Sequence, residues 1–258
     1  MFRALRLAPL IGACTVDTAH TIDHRTLELE VTTETAVDLV TRSGSLDVIG
    51  EPDRTTVELS VQLVRFGAGP FSIRSDDDGL DALVVELQSS GDVIEARSLV
   101  DILGSDPFAT DVVLRVPSGF DLIVDDTSGD IDIDGIGSLD LTDDSGSIDA
   151  RGIAGDAVIA DDSGDLLLED VAGTVEIEDA SGSIELRGAM STTIVDDSGD
   201  ILVETIDGDV DIVDASGSIW VRHVTGTVRI DDDSGDIVLE DVGDYEILSD
   251  GSGGVRVD

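Results

Sequence analysis

The chain has no lysine and no asparagine, and holds one cysteine, one tryptophan, one tyrosine and three histidines among 258 residues. Each shortage narrows the field. All fourteen basic residues are arginine, set against 58 aspartates and glutamates, for a formal charge of −44. Such a body repels phosphate backbones and anionic bilayers, which argues against nucleic acid or a lipid surface as its partner. Three His, one Cys and one Tyr leave little material for catalysis. Lysine and asparagine are both encoded by AT-rich codons, so losing the two together points to GC-rich coding rather than adaptation to salt. Aromatic residues make up only 3%, yet 41% of the chain is hydrophobic and strictly alternating, which argues against disorder.

What is present is a repeat. Ser-Gly recurs at Ser128, Ser145, Ser163, Ser181, Ser198, Ser216, Ser234 and Ser252, every 17 or 18 residues. The unit from Ser163 to Ala180 carries two alternating apolar runs separated by Gly173. Period-two alternation with β-branched residues reads as strand. A fixed period near 18 with two strands per unit reads as a β-solenoid, one unit per coil. The expected fold is all-β: a single-domain parallel β-solenoid with wider, irregular coils over residues 26–125 and regular repeats over 126–258.

A charged column tests that reading. Six places after the successive serines stand Asp134, Arg151, Glu169, Arg187, Glu204, Arg222, Glu240 and Asp258, alternating in sign from Asp134 to Glu240. With one unit per coil, each carboxylate has a guanidinium above and below at about 4.8 Å. With two units per coil, like would stack on like, which cross-strand pairing disfavours. A second column, two places before each Ser, is all aspartate, from Asp126 to Asp250. The stronger account is an Asx-type turn around the Ser-Gly corner. The other is bridging Ca²⁺ held by Asp161, Asp179, Asp196, Asp214 and Asp232, because hard cations take carboxylate oxygens. A third column, four places after each Ser, should face outward. There Leu202, Trp220 and Val238 follow one another, an apolar stripe holding the only Trp, a residue enriched at binding hot spots. We read it as a partner-binding surface, with a homodimer contact as the other use of the same stripe.

No catalytic constellation emerges. The carboxylates recur once per coil, so none forms a unique acid–base pair. Every Ser copies its neighbours, which leaves none singled out as a nucleophile. His223 is the only solenoid histidine and has no cysteine beside it, too few ligands for zinc.

Residues 1–13 read as a lipoprotein-type signal peptide: Arg3 and Arg6, then a short apolar run ending Ile11-Gly12-Ala13 before Cys14. The run is too short to span a bilayer. Residues 14–25, with His20 and His24, read as a tether from a lipidated Cys14. Phe66–Asp81 and Ser98–Asp111 read as loops.

The segment Arg115-Val116-Pro117, the run Asp121-Leu122-Ile123-Val124-Asp125-Asp126 before Ser128-Gly129-Asp130-Ile131, and Arg42–Pro52 (RSGSLDVIGEP) resemble the bacterial "putative adhesin" β-solenoid family of SGDIxI-type repeats over roughly residues 26–258. That resemblance implies a secreted or surface-exposed solenoid, often lipid-anchored, and carries over no catalytic residues. The expected function is therefore non-enzymatic: a lipid-anchored acidic scaffold or adhesion module of the cell envelope, in the outer membrane, the periplasm or at the cell surface. Its partner would be a protein or glycan at the surface, with the lipid as its only membrane contact. A Ca²⁺-binding roll and a scaffold polymerising end to end are the alternatives. If Cys14 carries the anchor, Cys14→Ser should move the protein from the membrane fraction to the soluble one; unchanged fractionation would contradict the anchor.

Overall fold

The computed structural model describes residues 20–65, 83–100 and 108–258. Cys14, the signal segment and the whole of Phe66–Asp81 lie outside the described residues. Among the described residues there are twenty-one strands and no helix, as period-two alternation demands. In the regular region one parallel stack holds β9 (Ile131–Asp134), β11 (Ile148–Ile153), β13 (Leu166–Val171), β15 (Ile184–Ala189) and β17 (Ile201–Ile206). The facing stack holds β8 (Asp121–Asp125), β10 (Leu139–Asp143), β12 (Ala157–Asp161), β14 (Thr174–Asp179), β16 (Ser191–Asp196) and β18 (Val210–Asp214). β19 (Ile219–Asp232) and β20 (Ile237–Asp250) run through the bend and join both stacks, and β21 (Val255–Val257) pairs with β20. The structure is thus a parallel β-solenoid with about 18 residues per coil.

Register places like on like. Leu186 lies between Leu168 and Val203 and is fully buried. On the facing stack Ile159, Ile177, Ile194, Ile212 and Ile230 form one continuous buried column. Burying each such side chain is worth about 1.5–3 kcal/mol, so the core grows by a similar increment with every coil.

The N-terminal region is less simple than a run of wide coils. β2 (Ala36–Val40) and β3 (Leu46–Glu51) make one coil, sandwiched between β8–β9 on one side and β6 (Val93–Val100) and β7 (Phe108–Pro117) on the other. Beyond that the pairing turns antiparallel: β5 (Leu83–Ser90) on β6, β4 (Thr56–Arg65) on β7, and β1 (His20–Glu30) on β4. The expected tether is corrected accordingly, because His20–Arg25 pair with Val61–Arg65 and belong to the sheet. The expected loop Ser98–Asp111 shrinks from both ends, since β6 runs to Val100 and β7 starts at Phe108.

The Ser-Gly corner is the tightest point of each coil. Gly182 has φ +145°, and a Cβ built on it would lie 1.6 Å from the carbonyl oxygen of Gly164 in the preceding coil. The same clash recurs at every Ser-Gly from Gly129 to Gly253, so the glycine column permits the coils to approach at all. Each serine ties the coils together: its carbonyl accepts the glycine amide of the preceding corner, as Ser198 does from Gly182 at 3.1 Å, and its hydroxyl donates backward, as Ser181 Oγ does to the Asp162 carbonyl at 3.2 Å. A second corner needs a left-handed residue, and Gly188 (φ +81°) fills it where Asp170, Thr205 and His223 do so in neighbouring coils. A Cβ at Gly188 meets nothing closer than 3.7 Å. Gly182→Ala should therefore lose more than about 3 kcal/mol by forced overpacking and strain, and Gly188→Ala only about 1 kcal/mol from its φ. Urea unfolding checks the pair; equal losses would mean that the two corners are not built as described.

Candidate functional site

The alternation that buries Ile201, Ile219 and Ile237 turns their successors outward. Leu202 pairs in register with Trp220, and Trp220 with Val238. Trp220 is 38% exposed, while Leu202 and Val238 are half-buried beneath its flanks. The stripe expected from the sequence is thus contiguous, and it floors a groove of about 450 Å³ whose walls are Ser183, Glu185, Asp200, Arg222 and Glu240.

The groove's polar edge is fixed by the charged ladder. Arg187 bridges Glu169 at 2.8 Å and Glu204 at 3.8 Å, Arg151 meets Glu169 at 3.1 Å, and Arg222 meets Glu204 at 2.9 Å. Arg187 also holds Glu185 within its own strand. Asp200 Oδ1 accepts the amide of Ser218 in the next coil at 3.0 Å. The same link joins Asp130 to Ser147 and Asp165 to Ser183. That explains the alternation of acid and hydroxyl after each Ser-Gly: the carboxylate of one coil caps the amide of the next. The groove walls lie on the same outward face, at the stripe or ladder offset or two residues before it, so the period-two pattern could have named them.

The all-aspartate column lies at the inner side of the Ser-Gly corner. Oδ1 of Asp161, Asp179, Asp196, Asp214 and Asp232 accepts the amide of the serine two residues on, at 2.9–3.2 Å. This is the Asx-type arrangement. Among the described residues no three His, Cys, Asp or Glu are grouped to hold a metal ion. The carboxyls from Asp126 to Asp232 are 0–6% exposed. Burial, with neighbouring aspartates adding to it, pushes Asp143, Asp161 and Asp214 up to about 6 and Asp196 up to about 7. Burial raises Asp126, Asp179 and Asp232 as well. His223, exposed at φ +57°, stands 3.6 Å from Glu204 at the ladder's edge.

Two stacked sheets, an ion-pair ladder and a buried carboxyl column define an acidic parallel β-solenoid. The Toastrack DUF4097 family matches residues 105–252, more than half of the chain, and the protein belongs to that family. A "putative adhesin" from Bacteroides fragilis NCTC 9343 shares the fold with a TM-score of 0.55 at 12% identity, over 92% of this chain and 97% of its own. A "putative lipid binding protein" from Parabacteroides distasonis ATCC 8503 aligns at 0.47 and 14%, over 91% and 94%. A "putative adhesin" from Parabacteroides merdae ATCC 43184 aligns at 0.45 and 12%, over 91% and 96%. At such identities the likeness concerns the fold alone. No curated protein matches the sequence.

Because Glu169, Arg187 and Glu204 stack in register, Arg187→Glu would place three carboxylates in a row. The cost should be about 1 kcal/mol, since these side chains are substantially exposed, and added salt should relieve it by screening. A loss that salt leaves unchanged, measured by denaturant unfolding, would contradict the ladder.

Proposed function

We propose that the protein is a non-enzymatic binding module of the cell envelope, anchored through a lipid on Cys14. In this reading the solenoid is a rigid rod that presents the groove over Leu202, Trp220 and Val238 to a protein or glycan at the cell surface. The observation that carries it is the stripe itself: a stacked apolar surface centred on the only tryptophan of a body with charge −44. Scattered exposed apolar side chains need no explanation, but three in register on one face form a patch. An aromatic anchor framed by fixed polar groups is the usual anatomy of a recognition centre. The surrounding charge selects against acidic partners and admits neutral or basic ones. The family and the shared fold are compatible with this reading and leave the partner open.

The test uses full-length wild type and Trp220→Ala, immobilised and probed with envelope extracts and with a panel of neutral and amino-bearing glycans. Trp220→Ala should keep its thermal stability within about 1 kcal/mol of wild type and lose tenfold or more in retention of the partner, the size expected when a hot-spot aromatic is truncated. Equal retention by both would sink the proposal. If the variant differs only in sedimentation, the stripe is a contact between copies of this chain and not a recognition surface.

A further inference from the structure

The inner side of the Ser-Gly corner contains groups that the recognition groove does not use. From Asp143 through Asp161, Asp179, Asp196, Asp214 and Asp232 to Asp250, each aspartate is the register partner of the next. Asp126 extends the row by one coil, and there the Thr41 hydroxyl donates to its Oδ1 at 2.5 Å. In all seven buried members, Asp126 to Asp232, Oδ2 is sealed from solvent and has no hydrogen-bond partner within the protein; at Asp143 this is true of both oxygens.

The surroundings supply no positive charge to offset such a row. The nearest charged groups are Asp125 on the strand side and Asp144, Asp162, Asp197 and Asp233 at the start of the corner. Beyond the glycine they are Asp165 and Asp200, and Asp231 and Asp250 face the last buried member. Arg42, which follows Thr41 at the N-terminal end of the row, is exposed. A line of ionised carboxylates with nothing but acids around it is self-repelling, and each orphaned Oδ2 would be an unmet acceptor in a dry site. Protons remove both faults. Coils rise about 4.8 Å and a charge-assisted O–H···O⁻ bond spans about 2.6 Å, which leaves about 2.2 Å, close to the width of a carboxyl group.

We propose that the corner aspartates form a proton-linked ladder, in which protonated and ionised carboxyls alternate along the rod and each retained proton is shared between neighbours in adjacent coils. Thr41 ends the ladder by donating its hydroxyl hydrogen to Asp126. The upward displacement of these groups by burial agrees with that arrangement. The sign of the linkage follows. Aspartates in the unfolded chain release their protons near pH 4, whereas the folded corner keeps them to about pH 6–7. The folded state therefore binds more protons between those limits. The ladder's contribution is complete below about pH 4 and is lost as the pH rises through 6–7, opposite in sense to ordinary acid denaturation.

Thermal melts of the full chain between about pH 5 and about pH 8 test this with wild type, Asp196→Asn and the exposed control Asp140→Asn. Wild type should melt lower as pH rises. Asp196→Asn, whose amide supplies a permanent donor, should melt roughly 2–4 °C above wild type at the alkaline end, with a shallower slope. Asp140→Asn should keep the wild-type slope. Should Asp196→Asn fail to fold, infrared spectra of wild type near neutral pH decide: the carbonyl band of a protonated carboxyl should be present in the folded protein and vanish on unfolding. No such band, or parallel slopes for all three proteins, overturns the proposal. So does millimolar Ca²⁺ at fixed ionic strength raising the alkaline melting point of wild type but not of Asp196→Asn, because the ladder would then hold cations in place of protons.

Discussion

In-register stacking of parallel coils at the spacing of one backbone hydrogen bond is the constraint on which everything else in this protein depends. Once Gly182 lies against Gly164 with no room for a Cβ between them, the offset of 17 or 18 residues is fixed for every column at once. A side chain then meets its own counterpart in the coils above and below, whatever its chemistry. Apolar columns benefit without further arrangement, since leucine on isoleucine on valine buries surface at each step.

Charged columns do not benefit, and the protein treats them in different ways according to exposure. Where the column faces water, the sign alternates, as in Glu169, Arg187, Glu204 and Arg222, and carboxylates next to the Ser-Gly corner are interleaved with serine. Where the column faces inward, there is no such alternation, and each position holds a short side chain, which at Asp196 and Asp214 accepts the serine amide two residues on. Aspartate is retained in seven consecutive buried positions there, and the repulsion between them has to be met by something other than a side chain. The ladder on the outside and the acid column within are thus two answers to one geometric demand.

Much of this was legible in the sequence, and the reasons are specific. A repeat writes each structural column as a constant offset, so the ladder at six places after serine and the stripe at four places after serine were visible as periodic text. The left-handed second corner was not, because Asp170, Thr205 and His223 occupy it as readily as Gly188, and no common chemistry marks the position. Nor did the sequence reveal that the corner aspartates are buried: an acidic residue beside Ser-Gly looks like any exposed turn. Alternation marks several N-terminal strands, such as β4, but the start of β1 and the end of β6 read as tether and loop, and pairing order in the region has no period to betray it. The coil of β2 and β3 is separated in sequence from both of its neighbours, and the antiparallel edge of β1, β4 and β5 arises from long-range pairing that alternation cannot specify.

The stiffness of a rod with these columns comes from the same stacking that sets the register. That stacking can be measured as a length. Asp132 and Arg256 occupy one outward column, seven coils apart by register. Spin labels on Asp132→Cys and Arg256→Cys, in a Cys14→Ser background, report the separation by pulsed dipolar spectroscopy. One unit per coil predicts a narrow distribution near 34 Å, seven rises of about 4.8 Å; a distance near half of that, or a broad distribution, would contradict the solenoid described here.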